Sequence, residues 1–246
     1  MPTIVIDSTF PTPTIGASCR CLRPGPEQDL VDWFLDAQVF TAPSGYCLTV
    51  FREPRLESGF PDLVLVVWRW EATRFWRPIR AELSSYELRT AHYVRQRPHC
   101  NYAHLRSVFV RNTCAALERL EAADLLYRVN DCWMAQALSQ SFAAHRIIAI
   151  EAKVSEWERV LSQALLNTWF ASHSYVLVPK IPRSSSRVDA ALSRGIGVVA
   201  RSEPSPHEPL HSGQPLPRSY ASWLFNEWAW RATILEKESS LYEFPE

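Results

Sequence analysis

Hydrophobic and polar positions follow three different rhythms along this chain, and each change of rhythm marks a change of element. Glu27 to Gln38 (EQDLVDWFLDAQ) places Leu30 and Phe34, with Val31 and Ala37 beside them, on one side of a 3.6-residue repeat, which predicts a helix. Tyr46 to Glu53 alternates as a half-buried strand, and a turn follows at Ser58-Gly59. Leu63 to Trp68 (LVLVVW) is apolar without a break, as expected of a strand covered on both faces. Arg146 to Lys153 (RIIAIEAK) has the same character. A helical stripe comes next, within 155–169, formed by Trp157, Val160, Leu161, Ala164, Leu165 and Trp169. Ser155 and Glu158 before it have the spacing of a capping box. Ser174 to Pro179 predicts a third apolar strand, Val188 to Ser193 a short helix closed by Gly195, and Ile196 to Ala200 a last strand. The expected fold class is α/β, with a discontinuous core over 27–83 and 137–201.

Between the two long strands the rhythm breaks. Residues 84–136 read as a helix (SSYELRTAHYVRQ), a short helix (NYAHLRSVF), a longer helix (VRNTCAALERLEAA) and two apolar segments joined at Asn130-Asp131, a hairpin signal. Three helices followed by a two-stranded hairpin resemble a winged helix-turn-helix, and NTCAALERLEAADLLYR resembles that family's passage from third helix to wing. The resemblance implies an inserted subdomain over 84–136. It also implies DNA contacts from Arg106, Arg111, Asn112 and Thr113 around the start of the third helix, and from Arg128 on the hairpin. Winged helices bind DNA or protein; seven arginines against five acids in this segment lean only slightly toward DNA. Residues 1–26 read as an irregular arm, and 202–218, with five prolines, as a linker. The linker leads to a Trp-rich helix over 220–237, which is expected to dock on the protein's own core, with a partner or homodimer surface as the other option.

Composition narrows the picture without redirecting it. The chain has 246 residues, 47% apolar and 21% charged, the profile of a folded domain of this size. Its formal net charge is zero, which argues against non-specific coating of nucleic acid but permits a local basic groove. The six cysteines, at 19, 21, 47, 100, 114 and 132, form no Cys-x-x-Cys pair and are expected to be reduced thiols. Met1 to Phe10 lacks a basic region followed by an apolar core, and the longest apolar run is far too short to span a bilayer. No signal peptide and no membrane association are therefore expected, and a cytoplasmic location is. Basic residues are heavily biased: 23 arginines and three lysines, Lys153, Lys180 and Lys237. A lysine kept against that bias draws attention to Lys153.

Lys153 belongs to a group of charges placed where charges are rarely found. Asp62 heads one apolar strand, and Glu151-Ala152-Lys153 ends another. Side chains alternate along a strand, so Glu151 and Lys153 point to one side, and if the two strands are neighbours Asp62 joins them. Two carboxylates with a backbone carbonyl are hard oxygen ligands suited to Mg²⁺ or Mn²⁺. A lysine beside them is a compact charge with a tunable pKa, which arginine is not.

Here the sequence resembles the PD-(D/E)XK nuclease superfamily, the restriction-endonuclease-like fold. The matching residues are Gly59-Phe60-Pro61-Asp62 before LVLVV, IIAIEAK at 147–153, and the helix that carries Gln163-Ala-Leu-Leu-Asn167, with Asn167 where several branches place Tyr. The resemblance implies a mixed sheet flanked by helices, and a Mg²⁺- or Mn²⁺-dependent deoxyribonuclease acting on DNA phosphodiesters without an organic cofactor. Its catalytic residues would be Asp62, Glu151, Lys153 and Gln163. Its metal ligands would be Asp62, Glu151 and the Ala152 carbonyl, with Glu27 or Glu53 as a further acid; Asp32 is an alternative on the first helix. Arg52, Arg55, Arg74 and Arg77 are the arginines expected near such a cleft. The alternative is a non-cleaving DNA-binding regulator or defence-system sensor built on the same fold.

Overall fold

The structure, a computed structural model, describes residues 3–110, 112–210 and 213–242, with side chains as far as Lys237. In chain order it contains β1 (Ile4–Ile6), α1 (Thr12–Ile15), α2 (Pro26–Asp36), β2 (Cys47–Arg52) and β3 (Leu63–Trp68), then α3 (Ser85–Gln96), β4 (Cys100–Asn101), α4 (Tyr102–Val108), α5 (Thr113–Ala122), β5 (Leu126–Val129), β6 (Cys132–Ala135) and α6 (Leu138–Ser141). It continues with β7 (Ala144–Ala152), α7 (Trp157–Asn167), β8 (His173–Val178), α8 (Ser185–Ser193), β9 (Ile196–Ala200), β10 (Glu203–His207) and α9 (Tyr220–Tyr242). Two compact units result, one from residues 1–68 and 144–218, the other from 69–143 with the stretch from 219 onward.

The first unit is built on a seven-stranded mixed sheet in the order β1-β2-β3-β7-β8-β9-β10. The strands β2, β3 and β7 run antiparallel to one another, β7, β8 and β9 run parallel, β1 is parallel to β2, and β10 is antiparallel to β9. Both faces are covered, which is why the central strands are apolar throughout. On one face Leu30, Val31 and Phe34 of α2 pack on Leu63, Leu65, Ile148, Ile150 and Ala152. On the other, Trp157, Val160, Leu161 and Ala164 of α7, with Val188 and Ala191 of α8, pack on Val176, Ile196 and Val198.

Both sheet edges come from segments expected to be irregular. The arm at 1–26 supplies β1, with Ile4 and Ile6 buried. The Pro-rich stretch supplies β10, where Pro204 and Pro206 are tolerated because an edge strand needs N–H donors on one side only. The start of α7 also differs from expectation. It begins at Trp157 after Glu156 in a left-handed conformation (φ 60°), and no side-chain hydrogen bond caps it, so Ser155 does not serve as the cap.

The second unit is larger than the 84–136 segment expected. Its helices α3, α4 and α5 are accompanied by a three-stranded antiparallel sheet, β4-β6-β5, closed at the Asn130-Asp131 turn. A capping box starts α3: the Ser84 hydroxyl accepts from Glu87 N–H, and the Glu87 carboxylate accepts from Ser84 N–H at 2.6 Å. The Trp-rich helix α9 lies within this unit, its residues 221–233 all buried. Its Glu227 forms a fully buried bidentate ion pair with Arg80 (2.6 and 2.9 Å), whose guanidinium lies over the Trp76 ring. Among the described residues no helix is long and apolar enough to cross a membrane.

Candidate active site

The antiparallel register of β3 and β7 sets the geometry of the site. Leu63 pairs with Ile150, so Asp62, one residue before, and Glu151, one residue after, come to face each other where the two strands end. The backbone holds Asp62 from two sides: Ala152 N–H donates to its carboxylate at 2.7 Å, and Glu53 N–H donates to its carbonyl at 3.0 Å. Glu53 itself sits at φ 49°, a left-handed conformation that costs a non-glycine residue strain and that recurs at functional sites. Glu151 is 4% exposed, and the side-chain amide of Asn167 on α7 donates to its Oε1 at 2.6 Å.

Burial pushes the Asp62 carboxyl up to about 6; the Ala152 N–H opposes the rise and the Glu53 charge adds to it. Burial pushes Glu151 further, to about 8, with the Asp62 charge as the next cause and Asn167 and Lys153 acting against it. Glu53 is raised as well, mainly by burial, although Arg20 pulls it back. Burial first, and the like charge of a neighbouring carboxylate second, both favour the neutral forms of this pair.

Asp62 and Glu53 line a cleft of about 350 Å³, together with Arg20, Arg23, Glu27, Phe60, Lys153, Arg159 and Gln163, among others. The Lys153 ammonium donates to Glu27 Oε2 at 2.6 Å. Glu27 stands in the first turn of α2, where the helix dipole favours a negative charge. Of the two acids considered on that helix it is therefore Glu27 that meets the cleft; Asp32 is paired with Arg52 and hydrogen-bonded by Gln28. Glu53 is paired with Arg20, whose guanidinium also lies 5.0 Å from the centre of the Phe60 ring. Gln163 carries a buried Oε1 with no hydrogen-bond partner. A larger cavity, about 520 Å³, beside the 38–46 loop is lined by neutral residues and carries none of this chemistry.

Asp62, Glu151, Lys153, Gln163, Glu27 and Glu53 are thus neighbours, as the sequence leads one to expect. The cleft's arginines are different from those expected. Arg52 is held by Asp32, while Arg74 and Arg77 belong to the second unit, Arg77 paired with Asp124 at 2.7 Å. In their place stand Arg20 and Arg23, from an arm without periodicity, and Arg159. Asn167 was also missed as a partner of Glu151. A signal for two of these exists: Arg159, Gln163 and Asn167 are spaced i, i+4, i+8, one polar stripe beside the apolar face of α7.

The residues expected to touch DNA from the second unit are less available. Thr113 is buried, and its hydroxyl donates to the Phe109 carbonyl, because the side chain back-bonds across the turn that starts α5. Arg128 is occupied within its own hairpin, donating to the Asn130 carbonyl and to Asp131, both at 3.0 Å. Asn112 and Arg106 are exposed, and Arg111 lies outside the described residues. The exposed face of α5 carries Glu118 and Glu121. No protein-family model, no curated protein and no solved structure matches this chain.

Proposed function

We propose that the protein is a divalent-metal-dependent nuclease of the PD-(D/E)XK type, cutting phosphodiester bonds at Asp62, Glu151 and Lys153. The observation that carries this reading is the pairing of Asp62 and Glu151 across the ends of two buried antiparallel strands, with both carboxyls pushed up by burial. Among the described residues no three His, Cys, Asp or Glu side chains converge as a metal cage. Two carboxylates suffice for Mg²⁺, which keeps most of its waters and takes one or two carboxylates from the protein. The unpartnered Gln163 Oε1 at the cleft fits the same group, as an acceptor for a water in its shell. When bound, Mg²⁺ or Mn²⁺ would supply Lewis-acid charge at a phosphate oxygen and make water acidic enough to attack.

The chain's own residues do the rest. Asn167 fixes the Glu151 carboxylate, and the Ala152 N–H fixes that of Asp62, so both are oriented before any ligand arrives. Lys153 places an ammonium at the strand end, where it can hold a water or the charge gathering on a phosphate in flight. Glu27 keeps that ammonium in position. The mixed sheet with helices on both faces supports the restriction-endonuclease-like reading of the first unit. In the second unit, α3, α4, α5 and the β4-β6-β5 sheet follow the order of a winged helix. Because Glu118 and Glu121 on α5 repel phosphate, we assign nucleic-acid contact to the cleft.

Plasmid DNA, labelled strands and RNA incubated with Mg²⁺ or Mn²⁺, with and without chelator, test this assignment. Chelator-sensitive cleavage is expected, lost in Asp62→Ala, Glu151→Ala and Lys153→Ala, with double variants little worse than single ones because the groups act as a unit. Full cleavage by Glu151→Ala refutes it. Binding without cleavage under every condition selects the non-cleaving regulator instead.

A further inference from the structure

We infer that Arg23 and Arg159 form a clamp for the phosphates of a single nucleic-acid strand entering the cleft; this rests on the nuclease reading of the same site. The charges at the cleft divide into two sets. Four cations (Arg20, Arg23, Lys153, Arg159) and three carboxylates (Glu27, Glu53, Asp62) line it, and a fourth carboxylate, Glu151, is buried beside Asp62. Two of each are already matched within the protein, Lys153 with Glu27 and Arg20 with Glu53. A divalent ion at Asp62 and Glu151 would neutralise the other two carboxylates. Arg23 and Arg159 then remain as the cleft's uncompensated charges. No ion pair is found for Arg23 among the described residues, and Arg159 has only a surface contact with Glu156 at 3.2 Å, both side chains more than half exposed. Such pairs are worth little and exchange readily for a phosphate.

Arg23 belongs to a segment with a fixed course, although its sequence is unpatterned. Arg20 N–H donates to the Glu53 carbonyl at 3.0 Å, Arg55 N–H donates to the Ser18 carbonyl at 2.8 Å, and Cys19 bridges to Pro54. The segment is thereby tied to the chain between β2 and β3 and forms a wall of the cleft. Arg159 stands on α7, four residues before Gln163, so the two arginines approach the cleft from different elements.

The size of the cleft selects the ligand. About 350 Å³ lies at the small end of the roughly 300–1,000 Å³ typical of ligand pockets. That is room for one nucleotide and its phosphates but not for a duplex.

The test measures binding of a labelled phosphorothioate oligothymidylate in Mg²⁺ by fluorescence anisotropy across a salt series. Each phosphate contact to a single strand contributes about −0.7 to the slope of log K against log salt, so Arg23→Gln/Arg159→Gln should flatten it by about 1.4. The same double variant should bind at least about tenfold more weakly, as expected when charged hydrogen bonds are lost. Arg23→Lys/Arg159→Lys should restore the slope. Both side chains are exposed, so unchanged circular dichroism is expected throughout. An unchanged slope and affinity in the Gln variant overturns the clamp, as does binding of a blunt duplex as tight as that of the strand. A wild type that cuts while the Gln variant binds normally leaves the nuclease reading standing and removes the clamp. A wild type that binds with an arginine-dependent slope but never cuts does the reverse.

Discussion

Replacing Glu151 by Gln should stabilise the metal-free protein at alkaline pH. An acid whose folded-state pKa lies above its unfolded value binds more protons folded than unfolded between the two values, so stability falls as pH rises through that window. For Glu151 the window runs from the ordinary 4.5 to about 8. At 1.36 kcal/mol per unit the whole shift is worth about 5 kcal/mol. Water drawn toward the charge offsets part of this, and on the order of 2–3 kcal/mol is expected to survive. Gln keeps an acceptor for the Asn167 amide and carries no charge, so the variant should match the wild type near pH 4.5 and exceed it near pH 9. Because the chain forms two units, a global melt mixes two transitions. Amide hydrogen exchange along β3 and β7, compared between the two proteins at each pH in chelator, reads this unit alone. Mg²⁺ at about a hundred times its dissociation constant should then stabilise the wild type by about 2.7 kcal/mol and leave the variant unchanged. Equal protection at pH 9 in chelator, or equal gains from Mg²⁺, would refute the electrostatic account.

Three further outcomes follow from packing. Arg80→Ala leaves the buried Glu227 carboxylate without its bidentate guanidinium partner, the Asn226 amide still donating to it, and should cost about 3–5 kcal/mol, read as lost exchange protection in α9; the double change Arg80→Met/Glu227→Leu should cost less than either single one. A β-carbon at Gly197 would lie 2.2 Å from two atoms of the Tyr175 ring on the neighbouring strand. Gly197→Ala should therefore cost about 1–3 kcal/mol through overpacking, less in a Tyr175→Leu background, read as lost exchange protection in β8 and β9. Ser84→Ala removes one half of the capping box and should weaken α3 by about 1 kcal/mol, seen as faster exchange in its first turn.

The parts of the fold that were legible are those in which one physical demand acts on consecutive residues. Leu63 to Trp68 and the run ending at Glu151 are covered on both faces, so every position had to be apolar, and the charges at their ends stood out against that background. Neighbouring strands then brought Asp62 and Glu151 together with no further information. Edge strands escape such reading because only one side is bonded and only alternate residues are buried: Ile4 and Ile6 flank an exposed Val5, and β10 contains two prolines. Residues that reach the site by their own length rather than by a repeat were invisible for a related reason. Arg20 and Arg23 are positioned by main-chain bonds from Ser18 and Arg20, groups that every residue carries and that leave no mark on the side chains. Arg159 and Asn167 are intermediate, since their stripe on α7 is regular but polar, and a polar stripe on a surface helix is ordinary until its neighbour is known. What changes its meaning here is Glu151: a buried carboxylate needs a donor, and Asn167, eight residues beyond Arg159 on the same face, is the donor that the fold supplies.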